Sequence, residues 1–205
     1  PLAIGINQGG LFTRVLPGAT RPDIQSHIAT LSADLAGAKP HPFSGFTLSV
    51  CQLRPGSRGH VRIKSADPFA APAMVPNYLS AEEDRLCAVE SVKFARRLAA
   101  APAVAPYVRE EYKPGPGVAS DAEILDWCRG NGATIFHPSG TCRMGSDPAA
   151  VVDSRLRVAG VSGLRVVDCS VMPTLVSGNT NAPVAMIAER ASDLILADAA
   201  AGRPA

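Results

Sequence analysis

Two proline-bound polar turns constrain any fold of this chain: FHPSGTCRMG at 136–145 and GNTNAP at 178–183. Pro138 restricts His137 to extended backbone, so no helix runs through the first turn. In the second, Asn179-Thr180-Asn181 leads into Ala182-Pro183. Asparagine is favoured at the residue that caps a helix, and proline is tolerated in the first helical turn, so a helix is expected to start there with Asn181 as its cap. The two turns lie about forty residues apart.

Each turn has a chemical reading and a plain one. An imidazole titrates near neutrality and can take a proton from a hydroxyl at physiological pH, which few unperturbed side chains can do. A single histidine in a loop more often serves as a local hydrogen-bonding group; Ser139, Gly140 and Thr141 tighten the turn around this one. At the second turn, capping accounts for Asn181 and leaves Asn179 unexplained. A helix start also presents free amides and a positive dipole end, suited to a group that gains negative charge. Asn179 could then hold a substrate oxygen while His137 takes its proton.

Composition narrows the classes. With 205 residues the chain suffices for one domain with a core, or one and a part. Charges of both signs are interspersed and the net charge is +2, which gives no basic stripe for nucleic acid. Apolar runs fall short of a membrane span. The five cysteines, Cys51, Cys87, Cys128, Cys142 and Cys169, are odd in number and contain no C-x-x-C pair. Reduced thiols in a cytoplasmic setting are the expectation, and the spacing of His137, Cys142 and Cys169 matches no common zinc site. Pro1 in place of a methionine suggests that the natural start lies upstream. No phosphate loop, nucleophile elbow or dinucleotide fingerprint is present: Gly115-Pro116-Gly117 lacks both the preceding strand and the third glycine.

The elements read as follows. Residues 1–20 are Gly-rich and loop-like; 22–32 fit a short amphipathic helix or a strand, the strand being favoured because Pro22 opens it; 33–44 form a loop. FTLSVCQL at 46–53 alternates as a strand, and the turn Pro55–Gly59 predicts a hairpin with His60–Lys64. Three prolines at 68, 72 and 76 argue against a regular element over 67–78. Ser80–Glu83 and Ser120–Glu123 have the form of capping boxes. The first helix would present Leu86, Val89, Phe94 and Leu98 to a core and end before Pro102; the second would carry Ile124, Leu125 and Trp127 and stop at Gly130. Leu164–Asp168 reads as a buried strand whose terminal Asp168 could meet a cofactor or simply turn the chain. A last helix from about Ala182 has its stripe at Ile187, Ala191, Leu194 and Ile195, and the tail from Ala199 is expected to fray.

FHPSGTCRMG, LRVAGVSGLRVVDCSVMP and GNTNAPVAMIAERASDLI together resemble the C-terminal region of the glucose–methanol–choline (GMC) flavoprotein oxidoreductases. Upstream, INQGGLFTR, RPDIQSHI and QLRPGSRGHVRIKSADPFAAPAMVPNYLS resemble the substrate-domain half of that family, so the likeness covers nearly the whole chain. It implies an α+β fold, mainly antiparallel with helices on one face, whose C-terminal segment completes a flavin-binding layer. Residues 1–135 would be substrate domain, 136–198 the histidine loop and flavin-facing segment, and 199–205 a tail.

The resemblance also implies roles. His137 matches the catalytic base and Asn179 its partner position; Phe136, Asp168, Cys169, Thr180 and Asn181 match positions along FAD. A small primary or secondary alcohol would lose a proton to His137 and a hydride to flavin N5. A quinone, a cytochrome or oxygen would reoxidise the flavin. The G-x-G-x-x-G unit that holds the ADP half of FAD is absent from this sequence, so a separate N-terminal FAD-binding domain is the expected partner, and the chain alone should be inactive. Gln8 stands near the place where choline-oxidising members carry a carboxylate, which argues against a cationic substrate. A binding module without catalysis and a hydrolase using a metal on His137, Cys142 and Cys169 are the alternatives; neither zinc nor nucleic acid is an expected partner.

Overall fold

A computed structural model describes residues 5–35 and 37–202. The readings made for 1–4, Ala36 and 203–205 lie outside the described residues. Among the described residues the fold is α+β, with antiparallel sheets and three α-helices, and it divides into two compact units: one within 1–58 and 77–135, the other within 59–76 and 136–205.

The first unit is built on a three-stranded antiparallel sheet in the order β1 (Asn7–Thr13), β2 (Ile24–Ala29), β3 (Thr47–Gln52). The central strand is buried at Ile24, Gln25 and Ser26, as its two-sided pairing requires. β1 corrects the loop expected over 1–20: an edge strand tolerates Gly9 and Gly10 because little side-chain packing is asked of it. Two helices complete the unit, α1 (Glu82–Ala99) and α2 (Asp121–Asn131). Val89 and Val92 of α1 meet Ile124 of α2, which is fully buried. Each such aliphatic side chain contributes about 1.5–3 kcal/mol on leaving water. Leu86, expected in the core, is 44% exposed; Cys87, Ser91 and Asp84 face inward instead.

Asp84 explains why the expected hairpin does not form. Its buried carboxylate accepts from the amides of Gly56 and Ser57, both at 2.7 Å, and from Gln52 Nε2 at 2.9 Å. Burial pushes its pKa up, but these bonds outweigh burial and hold it below the ordinary carboxylate value. The turn after β3 is therefore tied to the first turn of α1. β4 (His60–Arg62) pairs with β5 (Ala73–Val75) in the second unit, correcting both the hairpin and the irregular reading of 67–78. Gly59 has no alternative here: a Cβ would stand 2.0 Å from the Val75 carbonyl oxygen. The box at Ser80–Glu83 is absent too. Ala81 is the cap residue, and its amide donates to Ser57 Oγ at 3.0 Å. At α2 the box is complete, and the helix runs one residue past Gly130, to Asn131, with Gly132 at its end.

The second unit has few regular elements beyond α3 (Asn181–Ala200) and the β4–β5 ladder. Its core joins Val152, Leu156, Val171 and Ala191, with Val166, Val167 and Ile187 packed against them. The strand expected at 164–168 reduces to one bridge, Arg157 to Arg165, with Leu164 48% exposed. Val166 and Val167 pack on the core and the Arg165 side chain is buried on Asp198, so burial without a paired neighbour produced the misleading pattern. α3 is locked near its C-terminus by Asp198, 1% exposed, which takes Arg155 and Arg165 at 2.6 Å each. The helix accordingly continues past the expected fraying point at Ala199.

Candidate functional site

All the candidate site residues lie in the second unit. Backbone bonds fix the histidine loop beside the second segment. Amides of Gly140, Cys142 and Met144 donate to the carbonyls of Cys169, Ser170 and Val171 at 3.4, 3.0 and 2.9 Å. This short zipper fixes 140–144 beside 169–171, and from there the second segment leads to Asn179. Gly140 sits at φ +86°, with room for no more than a tight contact: a Cβ would lie 3.3 Å from the Met172 carbonyl oxygen. Phe136 sits at φ +63°, a left-handed conformation that is strained for a bulky residue, and its ring is 73% exposed. The strained residue immediately precedes the histidine.

The other side is anchored in the core. Val171 and Met172 are buried, and the carboxylate of Asp168 accepts from the Ser170 amide at 2.7 Å, closing a 3₁₀ turn over Cys169–Val171. The chain then reaches Asn179 and Thr180 at the start of α3. Asn181 is the first helical residue and Thr180 the cap, which corrects the assignment of the cap to Asn181. The shift has a local cause, because the Thr180 backbone (φ −91°, ψ −8°) is already turned toward helical values.

The two segments meet at the imidazole. Asn179 Nδ2 lies 3.0 Å from His137 Nε2, and Thr180 Oγ1 lies 2.8 Å from His137 Nδ1. His137 is half-buried, Asn179 is exposed and Thr180 is 6% exposed. One ring nitrogen thus faces an accessible carboxamide while the other is tied to a buried hydroxyl. Thr180 makes no side-chain cap bond at the start of α3, whose positive dipole end lies beside the imidazole.

The remaining candidates are placed as follows. Phe136, Asp168 and Asn181 are exposed, and Cys169 is half-buried within the 3₁₀ turn. The Asp168 carboxylate has the turn-closing bond that the plain reading allowed. Thr180, expected along a cofactor, has its hydroxyl on the imidazole. Sequence reasoning missed this contact because the two asparagines drew the capping argument; the usable signal was a threonine left without a cap to make. Among the described residues, no three His, Cys, Asp or Glu side chains group where they could hold a metal ion.

Residues 55–188 match the family model for the C-terminal domain of GMC oxidoreductases. The chain belongs to the GMC oxidoreductase family. It is 44% identical over 195 residues to an alcohol dehydrogenase [acceptor] of Pseudomonas putida, covering 95% of this chain and 35% of that protein. It is 44% identical over 192 residues to the mitochondrial choline dehydrogenase of Homo sapiens, covering 91% of this chain and 32% of that protein. Among solved structures it resembles pyridoxine 4-oxidase from Mesorbium loti, with TM-score 0.83, 30% identity, and coverage of 92% of this chain and 37% of the other. A formate oxidase of Aspergillus oryzae, studied for modification of its FAD, has TM-score 0.80 and 28% identity, with coverage of 91% and 33%. The chain spans about a third of the length of these relatives. Among the described residues, no helix is long and apolar enough to cross a membrane.

Proposed function

We propose that this chain supplies the substrate-facing catalytic groups of an FAD-dependent alcohol oxidoreductase, working together with an N-terminal FAD-binding domain. The observation that carries the reading is the contact between Asn179 Nδ2 and His137 Nε2. Asn179 is exposed and His137 half-buried, and a substrate hydroxyl would replace the bond between these two atoms. A substrate hydroxyl entering there accepts from the Asn179 N–H and gives its proton to Nε2. The carboxamide holds the oxygen while the imidazole takes the proton, a positioned acid–base step worth on the order of 10²–10⁴ in rate.

The residues present fit FAD. The uncapped start of α3 suits a ring that gains negative charge, and the exposed Phe136 gives an aromatic surface beside the histidine. Phe136, Asp168, Cys169 and Asn181 would hold the cofactor with the first amides of α3. Bound FAD supplies the hydride acceptor. The names of the relatives support an alcohol as the donor, and exposed Met186 (60%) and Leu196 (69%) on α3 leave apolar surface for the rest of the flavoprotein to cover. A quinone, a cytochrome or oxygen would take the electrons onward.

The test is anaerobic mixing of the chain, joined to an N-terminal FAD-binding domain and loaded with FAD, with primary and secondary alcohols. Bleaching of the flavin, slowed hundreds- to thousands-fold by His137→Ala, is the expected result. No bleaching by any alcohol, or full-rate bleaching in the His137 variant, would refute the reading.

A further inference from the structure

Thr180 occupies a cap position without capping. At the start of α2, Ser120 has extended backbone (φ −75°, ψ 158°), and its hydroxyl accepts from the Glu123 amide. At the start of α3, Thr180 has φ −91° and ψ −8°, and its side chain makes no cap bond. Its carbonyl still begins the helix by accepting from Val184 N at 2.9 Å. Its hydroxyl is directed instead to His137 Nδ1 at 2.8 Å. A threonine cap bond ordinarily stabilises a helix start, and here it is forgone in favour of one imidazole nitrogen. The residue is 6% exposed and β-branched, so its hydroxyl has little rotameric freedom to leave.

The polarity of the triad follows from donor chemistry. A carboxamide nitrogen can only donate, so Asn179 Nδ2 facing His137 Nε2 makes that ring nitrogen the acceptor. A neutral imidazole carries one N–H, which is then on Nδ1 and donates to Thr180 Oγ1. We propose that Thr180 is a positioning residue: its hydroxyl accepts from His137 Nδ1–H and holds the imidazole in the one tautomer whose Nε2 lone pair points at the Asn179 carboxamide. This deepens the proposed function, because an imidazole flipped to the other tautomer would present a proton where a base is required.

The experiment is ¹⁵N NMR of the FAD-loaded protein labelled at histidine, with the His137 signal assigned by its loss in His137→Gln, alongside anaerobic flavin reduction. Wild type should show the Nδ1–H tautomer. Thr180→Val should mix the two tautomers and slow reduction about tenfold or more, the scale felt when a group orienting a functional histidine is removed. Thr180→Ser, which keeps the hydroxyl, should restore both. An unchanged tautomer in Thr180→Val, or failure of Thr180→Ser to restore tautomer and rate, would overturn the proposal. If His137→Ala reduces flavin at full rate, the proposed function fails, while the NMR result still decides the tautomer.

Discussion

The starts of α2 and α3 are built from similar residues for different ends. Ser120 and Glu123 satisfy each other's amides at the start of α2, and every polar group there stabilises the helix. At α3 the hydroxyl of the cap residue is bonded to His137 and makes no cap bond. The same contrast runs through the units that hold them. The first has a paired sheet and two helices closed over Ile124; the second is mostly loop, and its short backbone zipper holds a histidine. Local rules are kept where stability is the outcome and broken where a side chain must be aimed.

Substitutions can break or sharpen this contrast. Ile124→Ala, in the core under the capped helix, should cost about 2–5 kcal/mol in chemical denaturation. It should leave the imidazole spectrum of His137 unchanged; a shift there would mean that the two units are not separable in function. Next comes the acid behaviour of the second unit. Hydrogen bonds from Arg155 and Arg165 hold the Asp198 carboxyl down to about 2. Its pKa is depressed on folding, so its stabilisation is present above the ordinary carboxylate value of 3.8 and fades as pH falls from there toward about 2. Thermal melts from pH 6 to pH 2 should show this loss, and Asp198→Asn should remove that part of the slope; an identical slope would show that the cluster does not hold α3. The smallest effect is expected at Ser120→Ala, about 1 kcal/mol of stability from loss of the box, with flavin reduction unaffected. A change in rate there would erase the distinction between the helix starts.

Much of this was legible in the sequence, and the failures have physical causes. The box at Ser120–Glu123 was readable because both partners are local. The similar string at Ser80–Glu83 failed because Ser57, distant in sequence, accepts from the Ala81 amide at that helix start. The hairpin failed for the same reason, since a turn signal says nothing about which strand a neighbour will choose. The family and the meeting of His137 with Asn179 were legible from the two motifs. Thr180 was not, because its value lies in the bond it does not make at α3. Asp198 was invisible as well: a lone aspartate near a helix end does not announce two arginines 43 and 33 residues upstream.

The most direct test is a double-mutant cycle on the rate of anaerobic flavin reduction by an alcohol, using His137→Ala, Asn179→Ala and the pair. If the imidazole and the carboxamide act on one hydroxyl, the losses are strongly non-additive, and the double variant is little slower than His137→Ala alone. Losses that simply multiply would show the two side chains acting independently and contradict the account.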